Sequence, residues 1–214
     1  DGPAGSGKST TAKHAAEKLG FIHINTGAMY RGIALKCIQG KIDLNSSSEI
    51  GKILNQTKFE FDREGGSVLI MDRVDISLEI NSGLVTESVS RVSAVPQIRE
   101  KLVQYQREMA EGLDVVLEGR DIGTVVFPDA EFKFFLIADI HERARRRKKE
   151  METMGEIVSL MELTAELEER DRKDSTREHS PLIKAEDAVE IDTTGLNIAE
   201  QVNRIVEIVN KSIK

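Results

Sequence analysis

The stretch that decides the fold is Gly2-Pro3-Ala4-Gly5-Ser6-Gly7-Lys8-Ser9, which completes the pattern G-x-x-x-x-G-K-[ST]. The glycines of this pattern let the backbone curl until successive N–H groups point at a polyphosphate. Lys8 is then within reach of the β and γ phosphates, and the Ser9 hydroxyl can bind Mg²⁺. This stretch therefore predicts a nucleotide phosphate site.

Residues 10–19, which follow the loop, are good helix formers. The phosphates would thus also lie at a helix N-terminus, where unpaired amides and the helix dipole favour anions. A chance glycine-rich turn is the alternative interpretation, and the helix together with the closing Lys8-Ser9 pair disfavours it. A loop of this class follows a strand, so we expect the native protein to carry one ahead of Asp1.

The composition predicts one globular domain with at most a small insertion, since 214 residues are enough for a sizeable core. A net charge of −7 argues against a nucleic-acid partner, and 4% aromatic residues without Trp argue against a stacking platform for single strands. No apolar run is long enough to span a membrane, and no signal peptide is visible. Cys37 is the single cysteine and is expected to be a small buried hydrophobe, which predicts a cytoplasmic protein.

Strand and helix patterns alternate along most of the chain, which predicts an α/β fold with a parallel sheet. The predicted strands are 21–25, 115–117, 132–137 and 188–192. The predicted helices are 10–19, 26–39 with Thr26 as N-cap, 88–109 with a break before Pro96, 140–172 and 198–213.

Residues 41–83 have a different texture, with serine and glycine clusters and short alternating runs. Runs 59–61 and 68–71 flank Gly65-Gly66 and predict small antiparallel strands, with another strand at 75–80. We interpret 41–83 as an insertion into a core of residues 1–40 and 84–214.

Polar residues follow the predicted strands at their carboxyl ends, where ligands collect in parallel α/β sheets. Asn25-Thr26 ends one strand, and Glu118-Gly119-Arg120-Asp121 ends another. Arg31 and Arg120 are candidates for gripping a phosphate with the guanidinium fork. The alternatives are a surface helix arginine for Arg31 and an ion pair with Asp121 for Arg120.

The run Arg143-Ala144-Arg145-Arg146-Arg147-Lys148-Lys149 concentrates six cations. Such a run is usually a solvated helix face. Phosphoryl transfer, however, needs positive charge over the migrating group, and a mobile arginine-bearing flap would supply it while excluding water. We expect at least one of Arg143, Arg146 and Arg147 to act in this way, within a lid of about residues 141–178.

Taken together, these features resemble the bacterial cytidylate kinases, a branch of the nucleoside monophosphate kinases, over nearly the whole chain. The most diagnostic run is 119–130, Gly-Arg-Asp-Ile-Gly-Thr-Val-Val-Phe-Pro-Asp-Ala, which phosphate-loop proteins in general do not share. The resemblance also rests on Thr26-Gly27-Ala28-Met29-Tyr30-Arg31, on residues 90–99, on Glu169-Arg170-Asp171, and on Asp174, Arg177 and Pro181-Leu182. The segment 41–83 matches the extended monophosphate-binding region of the bacterial branch.

The resemblance implies a phosphate-loop NTPase fold and transfer of the γ-phosphoryl group of ATP to CMP or dCMP, with Mg²⁺ bound through Ser9. We expect the protein to be a monomer. The resemblance assigns the ATP phosphates to Gly2, Pro3, Ala4, Gly5, Ser6, Gly7, Lys8, Ser9 and Thr10. It assigns the cytosine to Ser90, Arg99, Asp121 and Arg177, the monophosphate to Arg31 and Arg120, and the sugar to Arg170 and Asp174. Thr26 is a further expected CMP-binding residue. Lys8, Arg120, Arg143 and Arg147 are the expected catalytic cations.

Two positions depart from the family pattern, which commonly has aspartate where this chain has Asn25 and Glu118. Asn25 removes a charge near the acceptor phosphate, and Glu118 keeps its charge with one more methylene. Neither change removes a phosphate or base contact, so we expect activity to persist.

Two other functions stay open at this point. One is a kinase for another small acceptor, such as UMP or shikimate, on the same core. The other is a nucleotide-dependent switch or ATPase that moves a partner. The run from Glu118 to Asp121 suits a second small ligand better than such a switch.

Overall fold

The computed structural model describes residues 1–61, 69–153 and 155–212. The chain divides into two compact units, which are considered separately. We call residues Asp1–Leu19 and Gly119–Lys214 the loop unit, because it contains the phosphate loop, and Gly20–Glu118 the central unit.

The order of helices and strands follows the predicted alternation. The helices are α1 (Lys8–Leu19), α2 (Thr26–Gln39), α3 (Ser47–Gln56), α4 (Gly83–Val92), α5 (Pro96–Ala110), α6 (Ile140–Thr153), α7 (Leu160–Thr176) and α8 (Ile198–Ser212). The strands are β1 (Ile22–Asn25), β2 (Phe59–Phe61), β3 (Leu69–Met71), β4 (Val74–Asp75), β5 (Val115–Glu118), β6 (Phe134–Ile137) and β7 (Val189–Asp192). The predicted α/β class, with parallel strands flanked by helices, is confirmed.

Among the described residues, each unit contains a parallel strand pair. In the central unit β1 pairs with β5, from Ile22 opposite Val115 to Asn25 opposite Glu118. In the loop unit β6 pairs with β7 in the same sense. The main chain of Asp1 extends the second pair, because its N-terminal nitrogen donates to the Phe134 carbonyl at 2.8 Å and its carbonyl accepts from Leu136 N–H at 2.8 Å. The phosphate loop therefore starts beside β6.

The segment 41–83 contains the predicted antiparallel strands and a helix that was not predicted. β2, β3 and β4 form a three-stranded antiparallel sheet, whereas Gly65-Gly66 and Val68 lie outside the described residues. The predicted strand at 75–80 is wrong beyond Asp75, where β4 ends, because the Asp75 carboxylate accepts from Ser77 N–H and a 3₁₀ turn, Glu79–Asn81, follows. Helix α3 begins where the Ser46 hydroxyl accepts from Glu49 N–H.

Two helix boundaries also differ from the prediction. Asn25, not Thr26, caps α2, because its side-chain oxygen accepts from Ala28 N–H at 3.0 Å. The Thr26 hydroxyl donates instead to the Glu118 carbonyl at 2.7 Å. The predicted helix at 140–172 is two helices, α6 and α7, and Gly155 between them has a φ of 81°, which a side chain would oppose. Ile213, the predicted end of the last helix, lies outside the described residues.

The cores of the units hold these elements in place. In the central unit, α2 and α5 contribute Met29, Ile33, Ile98 and Leu102, all fully buried. In the loop unit, Ala15 of α1, Leu136 and Ile191 of the strands and the apolar stripe of α8 form a second core. Among the residues that the structure describes, no helix is long and apolar enough to cross a membrane.

Candidate active site

The phosphate loop adopts a backbone that only glycine tolerates at two key positions. Gly2 has a φ of 143°, and a Cβ there would lie 2.1 Å from the Leu136 carbonyl oxygen. Gly7 has a φ of 89°, and a Cβ there would lie 2.9 Å from Gln201 Oε1. The glycines at these positions are thus required by both conformation and space. This is the curled backbone that the sequence pattern predicts.

Lys8 is folded into the curl of this loop. Its side chain is buried, and Nζ donates to the Pro3 carbonyl at 2.6 Å, as does the Ser6 hydroxyl at 3.0 Å. Ser9 and Thr10 follow on the first turn of α1 and are exposed. The loop therefore presents a lysine ammonium and a helix N-terminus together, an arrangement that suits a polyphosphate.

The side chains around the loop fit a Mg²⁺ ion whose ligands are mainly nucleotide phosphates and water. Within the described ranges 1–61, 69–153 and 155–212, no group of three or more His, Cys, Asp or Glu forms a metal cage. Mg²⁺ in nucleotide sites keeps several waters and takes only one or two protein ligands. The exposed Ser9 hydroxyl satisfies that requirement.

A second cluster of charged side chains lies in the loop unit, after β5. Arg120 Nε donates to Asp174 Oδ2 at 3.0 Å, and Arg177 NH1 lies 3.9 Å from Asp174 Oδ1. Arg177 NH2 lies 3.9 Å from Asp121 Oδ1, and its Nε donates to the Ser180 carbonyl. We call Arg120, Asp121, Asp174 and Arg177 the arginine cluster. The ion pair between Arg120 and its neighbour Asp121 that we considered from sequence is wrong, because Arg120 pairs with Asp174 on α7.

Two connections join the phosphate loop to this cluster. The Asp1 carboxylate, directly before the loop, accepts from the main-chain N–H of Ile122 at 3.1 Å and of Gly123 at 2.9 Å, directly after Asp121. Arg143 NH1 donates to the Ala4 carbonyl of the loop at 3.1 Å and to Asp171 Oδ2 at 2.5 Å. Since Asp171 and Asp174 lie one turn apart on α7, this helix connects the loop with the cluster.

The predicted lid cations occupy three different settings. Arg143 is buried and also donates to the Ala138 carbonyl at 3.1 Å. Arg146 pairs with Glu142 on the preceding turn, and Arg147 pairs with Glu150 while about a quarter of its side chain, 26%, stays exposed. Arg170 is half-buried on α7, one turn before Asp174.

The central unit holds the remaining predicted residues. Arg31 NH1 donates to Asn81 Oδ1 at 3.0 Å. The Arg99 guanidinium lies over the Tyr30 ring, with CZ 5.3 Å from the ring centroid, and NH1 donates to the Ser93 carbonyl at 3.0 Å. Ser90, half-buried on α4, accepts from the Ser93 hydroxyl through its carbonyl, and Thr26 is buried at the start of α2.

The two departures from the family pattern lie side by side at the ends of β1 and β5. Asn25 accepts the same N-capping hydrogen bond that an aspartate would accept. An asparagine here therefore lacks the negative charge of aspartate but keeps the helix cap. Glu118 is buried, and its Oε1 atom lies 3.9 Å from Nε2 of buried His23. The extra methylene of Glu118 thus carries the carboxylate toward a neighbouring imidazole.

Sequence reasoning missed several residues that hold the site together. Asp1 precedes the phosphate loop and Asp171 belongs to the recognised run Glu169-Arg170-Asp171, yet only their partners reveal what they do. Tyr30 lay inside a recognised motif without an assigned contact. Thr193 and Gln201, which touch the phosphate loop, belong to no recognised motif. Thr193 does follow directly after β7, so the rule that ligands collect at strand ends would have found it.

Comparisons of the sequence with known proteins give matches over the full chain. A family model described as cytidylate kinase matches residues 1–211. The chain is 47% identical over 214 residues to a cytidylate kinase of Caldanaerobacter subterraneus subsp. tengcongensis, which covers 100% of this chain and 94% of the relative. It is 46% identical over 215 residues to one from Pediococcus pentosaceus (100% and 95% covered) and 48% identical over 211 residues to one from Desulforamulus reducens (99% and 95% covered). The similarity therefore spans both the loop unit and the central unit.

Proposed function

The chain belongs to the cytidylate kinase family, and we propose that its phosphate loop and its arginine cluster hold the two nucleotides of the family reaction. The chain is a kinase that transfers the γ-phosphoryl group of ATP to CMP or dCMP, giving CDP or dCDP and ADP. This reaction is a step of pyrimidine nucleotide metabolism.

One observation carries the assignment of the two nucleotides: the phosphate loop and the arginine cluster are joined within one unit. Asp1 connects the start of the loop to the amides after Asp121, and Arg143 connects Ala4 to α7. A donor phosphate on the loop and an acceptor phosphate on Arg120 are thereby held at a fixed separation. Fixed separation is what phosphoryl transfer needs most, because its transition state is loose and positioning supplies much of the acceleration.

The donor side uses residues 2–10. The main-chain N–H groups of the loop and the N-terminus of α1 bind the ATP phosphates, and Lys8 leaves the Pro3 carbonyl to reach the β and γ phosphates. Ser9 holds Mg²⁺, which neutralises charge on the β and γ oxygens when it is bound. Thr10 adds a hydroxyl on the same exposed turn.

For the acceptor side, the family resemblance assigns CMP to the arginine cluster and to residues of the central unit. Arg120 and Arg31 hold the CMP phosphate. Thr26, at the start of α2, is a further CMP-binding residue. Asp121, Arg177, Ser90 and Arg99 read the cytosine, since a carboxylate and a hydroxyl accept from its amine while arginines donate to its ring carbonyl and N3. Arg170 and Asp174 bind the sugar. The carboxylates already paired with Arg120 and Arg177 support this assignment, because they keep both guanidinium groups oriented before CMP arrives.

The lid of about residues 141–178 supplies the remaining charge. Arg143 and Arg147 stabilise the migrating phosphoryl group, and Arg143 is supported by its contact with the Ala4 carbonyl. Residues 41–83 form the inserted monophosphate-binding region within a core of 1–40 and 84–214. The enzyme acts as a monomer. It acts in the cytoplasm, which agrees with a single cysteine that is free and buried.

Steady-state assays across CMP, dCMP, UMP and AMP, with ADP release as the readout, test this function. We expect CMP and dCMP to be turned over with far higher kcat/KM than UMP or AMP. Preferred turnover of UMP would overturn the assignment of the base-reading residues. ATP hydrolysis at a substantial rate without any acceptor would favour a nucleotide-dependent switch instead.

A further inference from the structure

We propose that Thr193 and Gln201 are positioning residues, which hold the phosphate loop in its nucleotide-binding conformation through buried contacts with Ser6 and Gly7. We call these two side chains the loop floor. The proposal rests on the assignment of ATP to the loop, and it adds two residues outside the G-x-x-x-x-G-K-[ST] pattern. Both lie in the loop unit and are fully buried, Thr193 after β7 and Gln201 on α8.

Thr193 holds the peptide group between Ser6 and Gly7. Its hydroxyl donates to the Ser6 carbonyl at 3.0 Å. In a trans peptide the carbonyl and the following N–H point in opposite directions. Fixing the Ser6 carbonyl toward the floor therefore turns the Gly7 N–H toward the opposite side, where the loop amides meet a phosphate.

Arg146 fixes the orientation of Thr193. Its NH1 donates to the Thr193 hydroxyl oxygen at 3.1 Å, and its NH2 donates to the Thr193 carbonyl at 2.6 Å. Because the hydroxyl already accepts from a guanidinium, its own proton points toward the carbonyls of Ser6 and Ile137, both at 3.0 Å, and is shared between them. Arg146 thus differs from Arg143 and Arg147, because its hydrogen bonds orient a residue of the loop floor.

Gln201 supports the next part of the loop. Its Oε1 accepts from the buried Thr11 hydroxyl at 2.7 Å, and its Nε2 donates to the Leu196 carbonyl at 3.0 Å. With both ends of the amide bound, the side chain cannot flip without losing a hydrogen bond. Gly7 lies directly against it, since a Cβ on Gly7 would come within 2.9 Å of Oε1. Gln201 therefore fixes Gly7 relative to the first turn of α1.

The variants Thr193→Val and Gln201→Leu remove these hydrogen bonds at nearly constant size, whereas Thr193→Ser keeps the hydroxyl. A net loss of about 1 kcal/mol per hydrogen bond corresponds to roughly fivefold weaker ATP binding. We expect Thr193→Val and Gln201→Leu each to raise KM for ATP and Kd for ADP about fivefold or more, with KM for CMP within about twofold. Thr193→Ser should remain within about twofold of the unmodified enzyme.

The control is Thr57→Val, which removes a buried threonine hydroxyl of the central unit that bonds Lys36 and Ile53. It should lower the unfolding midpoint without changing KM for ATP. Equal changes in both KM values, or a lower midpoint with unchanged ADP binding, would overturn the loop floor. Calorimetry with ADP alone separates the two proposals, because it tests the floor even if the unmodified enzyme fails to turn over CMP. If Thr193→Val does not fold, Thr11→Val removes the partner of Gln201 and must weaken ADP binding in the same way.

Discussion

Replacing Arg120 by alanine separates a phosphate-binding role from a structural ion pair. Arg120 makes one charge-assisted hydrogen bond, from Nε to Asp174 Oδ2 at 3.0 Å, and 20% of its side chain is exposed. Such bonds contribute about 1.5–3 kcal/mol. Asp174 keeps Arg177 at 3.9 Å as a compensating charge, so the variant leaves no unpaired buried carboxylate. We therefore expect the free energy of unfolding to fall by only about 1.5 kcal/mol.

The expected effect of Arg120→Ala on catalysis is much larger than its effect on stability. Removing one preorganised donor from developing negative charge lowers kcat about 10²–10³-fold, which is about 3–4 kcal/mol of transition-state stabilisation. We expect a loss of this size in kcat/KM for CMP, measured by coupled ADP release, beside urea unfolding of the same samples.

A matched control for Arg120→Ala is Arg172→Ala, which removes an arginine of α7 that is 64% exposed and pairs with Glu169. It should leave kcat/KM for CMP unchanged. If kcat/KM for CMP fell less than about tenfold in Arg120→Ala, the loss would be no larger than the change in the free energy of unfolding predicts. That result would refute the phosphate-binding role of Arg120 and leave only a structural ion pair with Asp174.

Three further predictions concern the loop, the cysteine and an exposed carboxylate. In Gly7→Ala, the new side chain would combine a positive φ with a clash against Gln201. We expect the bound shape of the loop to be destabilised by at least about 1–2 kcal/mol and KM for ATP to rise tenfold or more. An unchanged KM for ATP would show that the loop adjusts to the side chain without loss. Burial raises the pKa of the Cys37 thiol and keeps reagents away from it. A thiol reagent at pH 8 should therefore label Cys37 only at the rate of local or global unfolding. Rapid labelling of the folded protein would contradict its buried position. A hydrogen bond from Arg172 lowers the pKa of Glu169 to about 2. In an NMR titration, the Glu169 carboxylate should therefore stay charged above about pH 4.5, and its charge and the stability that depends on it should be lost toward pH 2. Protonation of Glu169 near pH 4.5 would show that Arg172 does not stabilise this carboxylate.

Much of the fold could be predicted from sequence because periodic patterns are local. Short apolar runs before polar residues identified β1, β5, β6 and β7, and the glycine-rich pattern identified the curled loop. The same local reasoning failed where two residues compete for one role. Asn25 and Thr26 are both good N-caps, and only the Glu118 carbonyl, remote in sequence, decides that Thr26 bonds elsewhere.

The partners of the site residues could not be predicted, because they are remote in sequence. Arg120 pairs with a carboxylate 54 residues later, and Arg143 donates to a loop carbonyl 139 residues earlier. Sequence spacing predicts which residue types reach a phosphate, but the hydrogen bonds that orient them depend on packing. The loop floor is the clearest case, since Gln201 has no motif and is identified only by its closeness to Gly7.

The central claim is that the donor and acceptor phosphates lie end to end, between Lys8 of the phosphate loop and Arg120 of the arginine cluster. The most direct test is inhibition by adenosine and cytidine joined through one polyphosphate chain. We predict that one such molecule binds per chain, competes with both ATP and CMP, and binds more weakly in Lys8→Met and in Arg120→Ala. Competition with only one of the two substrates, or a loss of affinity in only one of the two variants, would contradict the account.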